Sequence, residues 1–276
     1  MADSLQRTPV PSAERREEFD AIVIGSGVTG LYSLYRMRQL GFSVRAFDDA
    51  GGVGGTWYWN RYPGCRFDSE SYSYGYSFSE ELLQEWDWKE HYSSQPETER
   101  YLNYVADKFD LRRDIQFNSR VVSATFDEVD GRWDIALEDG SRARGQFLIT
   151  SVGSFSAGYV PDFEGIDSFE GISCHTRKWP AEGIDLVGKR VGVIGTGATG
   201  VQLITEIAKE VCKKLADLIK KRIDISKIDI IVSLAMGGII LGYEISRQLV
   251  VPNIFLERVN NVFDIRRGFD IEKGSK

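Results

Sequence analysis

One pattern constrains this 276-residue chain more than any other, and it occurs twice. A short apolar run leads into G-x-G-x-x-G and then into an amphipathic stretch. The glycines are Gly25, Gly27 and Gly30 in the first copy and Gly195, Gly197 and Gly200 in the second, where Thr196 fills the first gap. A strand–turn–helix unit explains all three positions. The first glycine permits the tight turn, the second lets backbone approach a pyrophosphate, and the third lets helix and strand pack closely. The helix N-terminus then offers free N–H groups and a favourable dipole to an anion. In the first copy Ile22, Val23 and Ile24 read as a buried parallel strand, and Leu31, Leu34 and Met37 as the inward stripe of a helix that Gly41 ends. A second strand follows over 43–47. Asp48 stands at its end, 18 residues past Gly30, where a carboxylate can accept hydrogen bonds from ribose hydroxyls. In the second copy 190–194 is the expected strand, and Ile204 and Ile207 the apolar side of the helix. The pattern predicts an α/β fold with one Rossmann-like nucleotide domain and a partial second one.

Composition removes several alternatives. A formal charge of −7 argues against a general nucleic-acid surface. Three scattered cysteines (Cys65, Cys174, Cys212) and two histidines are poor material for a metal site or a disulfide framework. The longest apolar run, over 228–243, is too short and too glycine-interrupted to span a membrane. The expectation is a cytoplasmic protein with reduced thiols. The chain is not uniform, however. All six Trp residues fall before position 180, and residues 211–276 hold 12 Lys+Arg against 8 Asp+Glu. That change suggests a seam, within a helix expected over 205–224 whose apolar face is Ile207, Val211, Leu215, Leu218 and Ile219. Two fingerprints suggest two dinucleotides, most simply FAD and then a nicotinamide. A second turn of this shape with no ligand is the alternative.

The segment AGGVGGTWYWNRYPGCRFDSESYSYGYSFS (50–79) is too aromatic for a flexible loop and too rich in glycine for a helix. Trp57, Trp59, Tyr58 and Tyr62 could wall a flat ring or simply fill core. Within it, GGTWYWNRYPGCRFD resembles the segment that follows the first Rossmann motif in Baeyer–Villiger monooxygenases. The resemblance implies that Asp48 holds the FAD ribose, and that Thr56, Trp57, Asp68 and Tyr74 contact the flavin side. It implies that Arg66 and Asp68 lie between flavin and nicotinamide, and that backbone at Val121 passes near the adenine. A helix over 98–109 and a β-meander over 119–156, with Asp-Gly hairpins at 130–131 and 139–140, complete the expected domain.

Between the fingerprints, FEGISCHTRKWP matches F-x-G-x-x-x-H-x-x-x-W-P, which resembles the signature of type I Baeyer–Villiger enzymes, at Phe169, Gly171, His175, Trp179 and Pro180. The implied reaction is oxygen insertion beside a small ketone's carbonyl, giving an ester or lactone, with FAD reduced by NADPH. Asp68 and Arg66 carry the catalytic expectation. His175 enters only indirectly, through the connection between the nucleotide domains. Thr196 and the second set of glycines are the expected NADPH contacts.

That resemblance stops near residue 210. Residues 227–276 instead resemble the middle of orotate phosphoribosyltransferases, through Ala235, Gly237, Gly238, Glu257, Arg258 and the run 266–269. The expected organisation is a leader over 1–19, a FAD-binding domain over 20–156 and a linker over 157–187. The start of a nicotinamide domain over 188–210 and a phosphoribosyltransferase-like α/β segment over 211–276 follow, as a chimera. The tail's strand, over 228–233, is expected to pair beside 190–194 as a right-handed crossover.

Overall fold

The computed structural model of the chain describes residues 17–186, 189–234, 239–259, 262–265 and 271–275. Ala235, Gly237, Gly238 and the run 266–269 lie outside the described residues. The chain forms two compact units, Met1–Arg61 with Ser71–Trp179, and Tyr62–Glu70 with Pro180–Lys276.

In the first unit, β1 (Glu17–Ile24), α1 (Val28–Gln39) and β2 (Val44–Phe47) follow the expected strand–turn–helix–strand order. Short helices α2 (Thr56–Trp59), α3 (Ser71–Tyr74) and α4 (Glu80–Glu85) precede the long α5 (Gln95–Lys108). Strands β3 (Ile115–Gln116), β4 (Val121–Asp127), β5 (Arg132–Leu137) and β6 (Arg142–Thr150) complete one six-stranded sheet in the order β3-β2-β1-β6-β5-β4. The strands β3, β2, β1 and β6 run parallel, and β6, β5 and β4 form the antiparallel meander. Gly131 and Gly140, at φ of +63° and +87°, serve the two hairpins where the Asp-Gly pairs predict turns.

Strand β1 lies inside the sheet, so Ala21, Ile22 and Val23 are all fully buried instead of alternating. Ile22, Phe47, Ile135, Leu137 and Ala143 form one cluster, with Phe19, Val121, Trp133 and Leu148 packed against it. Leu31 and Leu34 of α1 and Leu102, Val105 and Ala106 of α5 are also buried. Each such Leu, Ile, Val or Phe side chain contributes about 1.5–3 kcal/mol. Register carries this core to the site. Ile24 pairs with Phe47 on one side and Thr150 on the other, so three parallel strands end together. Gly25, Asp48 and Ser151 are the residues that leave those ends.

The second unit contains α6 (Ala198–Arg222), β7 (Ile231–Leu234), α7 (Ile239–Leu249), β8 (Asn253–Val259) and β9 (Val262–Ile265). β7 and β8 are parallel, joined through α7, and β9 returns antiparallel to β8. Ala216, Leu249 and Val251 are its core, with Ile219, Ile225, Ile228, Ile231 and Ile245 around them. A Cβ on Gly242 would come within 2.5 Å of the Ser233 Cβ, so α7 approaches β7 at that glycine.

Three expectations fail here. Residues 190–194 form no strand, and Val191 and Ile194 are 41% and 80% exposed. A parallel strand is held by ladder hydrogen bonds from its neighbours, and no described strand pairs with this stretch. The tail strand does not pair beside it either, because β7 pairs with β8 in a separate sheet. Helix α6 supplies the reason. Its 25 residues extend about 37 Å, roughly twice a typical strand. The chain therefore emerges well past the end of 190–194. The inward face of α6 matches the predicted one only in part: Ile219 packs on the core, but Leu203, Cys212 and Ala216 are the buried residues, whereas Leu215 and Leu218 are 41% and 49% exposed.

Candidate functional site

The first fingerprint is closed by contacts only glycine allows. Gly25 has a φ of +98°, and a Cβ there would lie 2.6 Å from the Ser151 carbonyl oxygen. A Cβ on Gly30 would lie 2.0 Å from the Gly25 oxygen. Gly27 is the N-cap of α1, with no side-chain cap and no acidic residue in the first turn. Its N-terminal N–H groups therefore face no competing carboxylate from the helix itself.

Asp48 is the anchor of this turn. It is 6% exposed, and its Oδ2 accepts from the Ser26 backbone N–H at 2.5 Å and from the Ser26 hydroxyl at 2.6 Å. Its Oδ1 accepts from the Ala50 N–H at 2.8 Å. A carboxylate has about four acceptor positions. Three are used by the protein, which leaves one. Ser26, itself fully buried, is invisible as a functional residue in the sequence, because it occupies a variable position of the motif.

The aromatic segment is packed and hydrogen-bonded. Trp57 is 7% exposed and donates from Nε1 to the Tyr74 hydroxyl at 2.7 Å, with the two rings edge to face at 5.8 Å. Burial raises the Tyr74 phenol pKa, so it stays protonated at neutral pH. Gln95, at the start of α5, donates to the Trp57 carbonyl at 2.5 Å and fixes α2 from below. Thr56 begins α2 and accepts at its hydroxyl from Asn60. Val121 begins β4 beside an irregularity in the β4–β5 register. The fold thus brings the fingerprint, Asp48, Thr56, Trp57, Tyr74 and Val121 into one unit.

His175 caps a short 3-10 turn, Thr176–Lys178, by accepting the Arg177 N–H at Nδ1, 3.2 Å away. Arg177 in turn donates to the Phe155 carbonyl at 2.9 Å and lies over the Trp59 ring at 5.8 Å. The histidine shapes the connecting segment.

In the second unit Gly195 has a φ of +122°, Gly200 would bring a Cβ within 2.5 Å of the Gly195 oxygen, and Gly197 is the uncapped N-cap of α6. The turn thus forms without the expected strand before it. Thr196 is exposed beside it. Arg66 and the exposed Asp68 also belong to this unit, on the segment Tyr62–Glu70. Gln202 of α6 holds that segment: its Oε1 accepts from the Tyr62 hydroxyl at 2.8 Å and the Arg66 N–H at 3.3 Å, and its Nε2 donates to the Arg66 carbonyl at 2.9 Å. No sequence periodicity marks Gln202. Burial pushes the neighbouring Cys65 thiol up to about 11. All three cysteines are free. Among the described residues no His/Cys/Asp/Glu group could hold a metal, and no helix is long and apolar enough to cross a membrane.

Comparison with known proteins agrees with this geometry. Residues 20–222 match the flavin-binding monooxygenase-like family, past residue 210 to the end of α6. Acetone monooxygenase (methyl acetate-forming) from Gordonia sp. (strain TY-5) is 55% identical over 192 residues, 70% of this chain and 36% of that protein. Cyclohexanone 1,2-monooxygenase from Acinetobacter sp is 47% identical over 195 residues, again 70% and 36%. Among solved structures, an oxidized steroid monooxygenase bound to NADP superposes with a TM-score of 0.66 at 51% identity, covering 70% of this chain and 37% of that one. The chain thus spans little more than a third of the length of these relatives. Two glycine turns on uncapped helices, the anchored acid and this extent of identity lead to one conclusion: the chain belongs to the flavin-binding monooxygenase-like family.

Proposed function

We propose that the chain is the nucleotide-binding part of a Baeyer–Villiger-type monooxygenase that converts a small ketone to an ester or lactone with FAD and NADPH. The observation that carries this reading is the pair of uncapped, acid-free helix N-termini behind G-x-G-x-x-G turns, in a chain 47–55% identical to ketone monooxygenases. The residues fit a dinucleotide. A Cβ on Gly27 would crowd the Gly55 Cα at 3.3 Å, so glycine at both keeps a backbone cradle open before α1.

In this reading Gly25, Gly27 and Gly30 hold the FAD pyrophosphate, Asp48 the ribose, and Thr56, Trp57, Tyr74 and backbone at Val121 the rest of the cofactor. Gly195, Thr196, Gly197 and Gly200 hold the nicotinamide nucleotide. Bound FAD supplies hydride acceptance and oxygen activation. The chain's own residues bind, orient and exclude water. Arg66 and Asp68 stand with the nicotinamide side, and His175 acts through the connecting segment. The domains proposed are 20–156 for FAD, 157–187 as linker and 188–210 as the start of the nicotinamide domain, in a cytoplasmic protein.

A FAD titration of the purified chain, read by quenching of flavin fluorescence, tests the reading. Saturable binding that Gly27→Trp abolishes is expected, and ester formation from a cyclic ketone with NADPH by this chain alone is not. Absence of FAD binding to a folded first unit would sink the proposal.

The parallel order β7–α7–β8 favours a separate reading for the tail. We propose that 227–276, beyond the residues that match the flavin-binding monooxygenase-like family, is a phosphoribosyltransferase-like segment that serves as packing in a chimeric chain. Pyrophosphate release from phosphoribosyl pyrophosphate and orotate would overturn the packing role.

A further inference from the structure

The segment Tyr62–Glu70 carries the two residues that the flavin reading makes catalytic, yet it clusters with the unit that contains the second fingerprint. One side chain accounts for much of this. Gln202 is the fifth residue of α6, one turn above the glycine N-cap. Its amide is used in both directions, accepting from Tyr62 and from the Arg66 N–H while donating to the Arg66 carbonyl. The Tyr62 hydroxyl also lies 3.4 Å from the Thr199 Oγ1, in the first turn of the same helix. Backbone approaches helix directly at Gly64, where φ is +80° and a Cβ would lie 2.7 Å from the Gln202 carbonyl oxygen. Tyr62, Cys65 and Phe67 are 7%, 6% and 5% exposed on either side.

We infer that Gln202 is a positioning residue: it latches both backbone groups of Arg66 to the second fingerprint helix and so sets Arg66 and Asp68 in the frame of the nucleotide held at that helix's N-terminus. The inference rests on the nicotinamide reading for what is positioned, but the latch itself does not. The neutral amide donates and accepts at once at any pH near neutrality. A carboxylate at 202 can accept from Tyr62 and Arg66 but cannot donate to the Arg66 carbonyl; once protonated it can.

The test is hydrogen exchange of the full chain, read on peptides covering 62–70. Gln202→Leu removes all three bonds and is expected to speed exchange there by more than about 10-fold, at about 0.5–1.5 kcal/mol for each neutral hydrogen bond lost. Gln202→Glu, which loses only the bond donated to the Arg66 carbonyl, is expected to show a smaller loss of about 3- to 10-fold at about pH 7 and recovery towards wild type at about pH 4, near the ordinary glutamate value. Tyr62, Cys65, Arg66, Asp68 and Glu70 on the segment and Glu206 and Lys209 on the helix are the ionisable groups nearby, and wild type carries all of them as the control. A residue that only filled space would give no such pH-dependent rescue. Wild-type protection at 62–70 in Gln202→Leu, or a Gln202→Glu chain whose exchange relative to wild type is the same at both pH values, overturns the latch. If the leucine variant fails to fold, the two-pH comparison of Gln202→Glu decides alone. Added NADP+ is expected to protect 62–70 further in wild type but not in Gln202→Leu. A latch that passes the first arm while NADP+ protects nothing around 195–202 supports the latch and counts against the nicotinamide reading.

Discussion

Asp48→Asn tests the reading of the first fingerprint most directly. The carboxylate is buried and faces three donors: two on Ser26 at 2.5 and 2.6 Å, and the Ala50 N–H at 2.8 Å. An asparagine has one carbonyl oxygen. If it faces Ser26, its NH2 points at the Ala50 N–H, and if it turns, both Ser26 donors meet an NH2. Either way a buried N–H loses its partner, at about 1–3 kcal/mol. The surviving bonds also change from charge-assisted to neutral, which about halves their strength. Together these give a loss of about 3 kcal/mol. All six Trp residues lie within the first unit, so their fluorescence reports that unit alone. With a urea slope of about 2 kcal/mol/M, the midpoint should fall by more than about 1 M. Ser26→Ala in the same background should be clearly non-additive, with a coupling of about 1 kcal/mol. A midpoint within about 0.2 M of wild type, or strict additivity with Ser26→Ala, would refute the claim that this acid anchors the turn.

Four further outcomes follow from geometry and burial. Gly30→Ala, with its Cβ 2.0 Å from the Gly25 oxygen, should cost about 3 kcal/mol or more in the same fluorescence assay. Gly131→Asn, at a φ of +63° with nothing within 4 Å, should cost less than about 1 kcal/mol. Burial raises the Tyr101 phenol to about 12 and the Cys65 thiol to about 11, so both favour the protonated form in the fold. Their contribution is whole below the unfolded values near 10 and 9 and is lost as pH rises through 12 and 11. Urea midpoints followed by far-ultraviolet circular dichroism, which reads both units, should therefore hold up to about pH 9 and fall above it, and iodoacetamide at about pH 8 should label the part-exposed Cys174 well before Cys65.

Much of this protein is written in short-range sequence. The glycine spacing, the apolar run before it and the acid after the second strand predict the β1–α1–β2 unit, and the Asp-Gly pairs locate the meander hairpins. These signals are legible because each reflects a local steric demand, such as a positive φ at Gly25 or a backbone contact at Gly30. The family resemblance is legible for the same reason, since its fixed positions are turns, caps and close approaches. Other features depend on residues far apart in the chain. Periodicity misassigns Leu215 and Leu218 of α6 to its inward face, because what packs against a helix is a tertiary fact. The expected strand over 190–194 has the right composition but no described partner to pair with. Ser26 and Gln202 carry no pattern at all; a serine and a glutamine become structural anchors only when Asp48 and Arg66 arrive from 22 and 136 residues away. Sequence alone determined the two glycine turns, because a tight turn constrains its own residues. Only the tertiary structure decided which side chains hold those turns and which unit carries Arg66 and Asp68, because a hydrogen bond needs both partners in place.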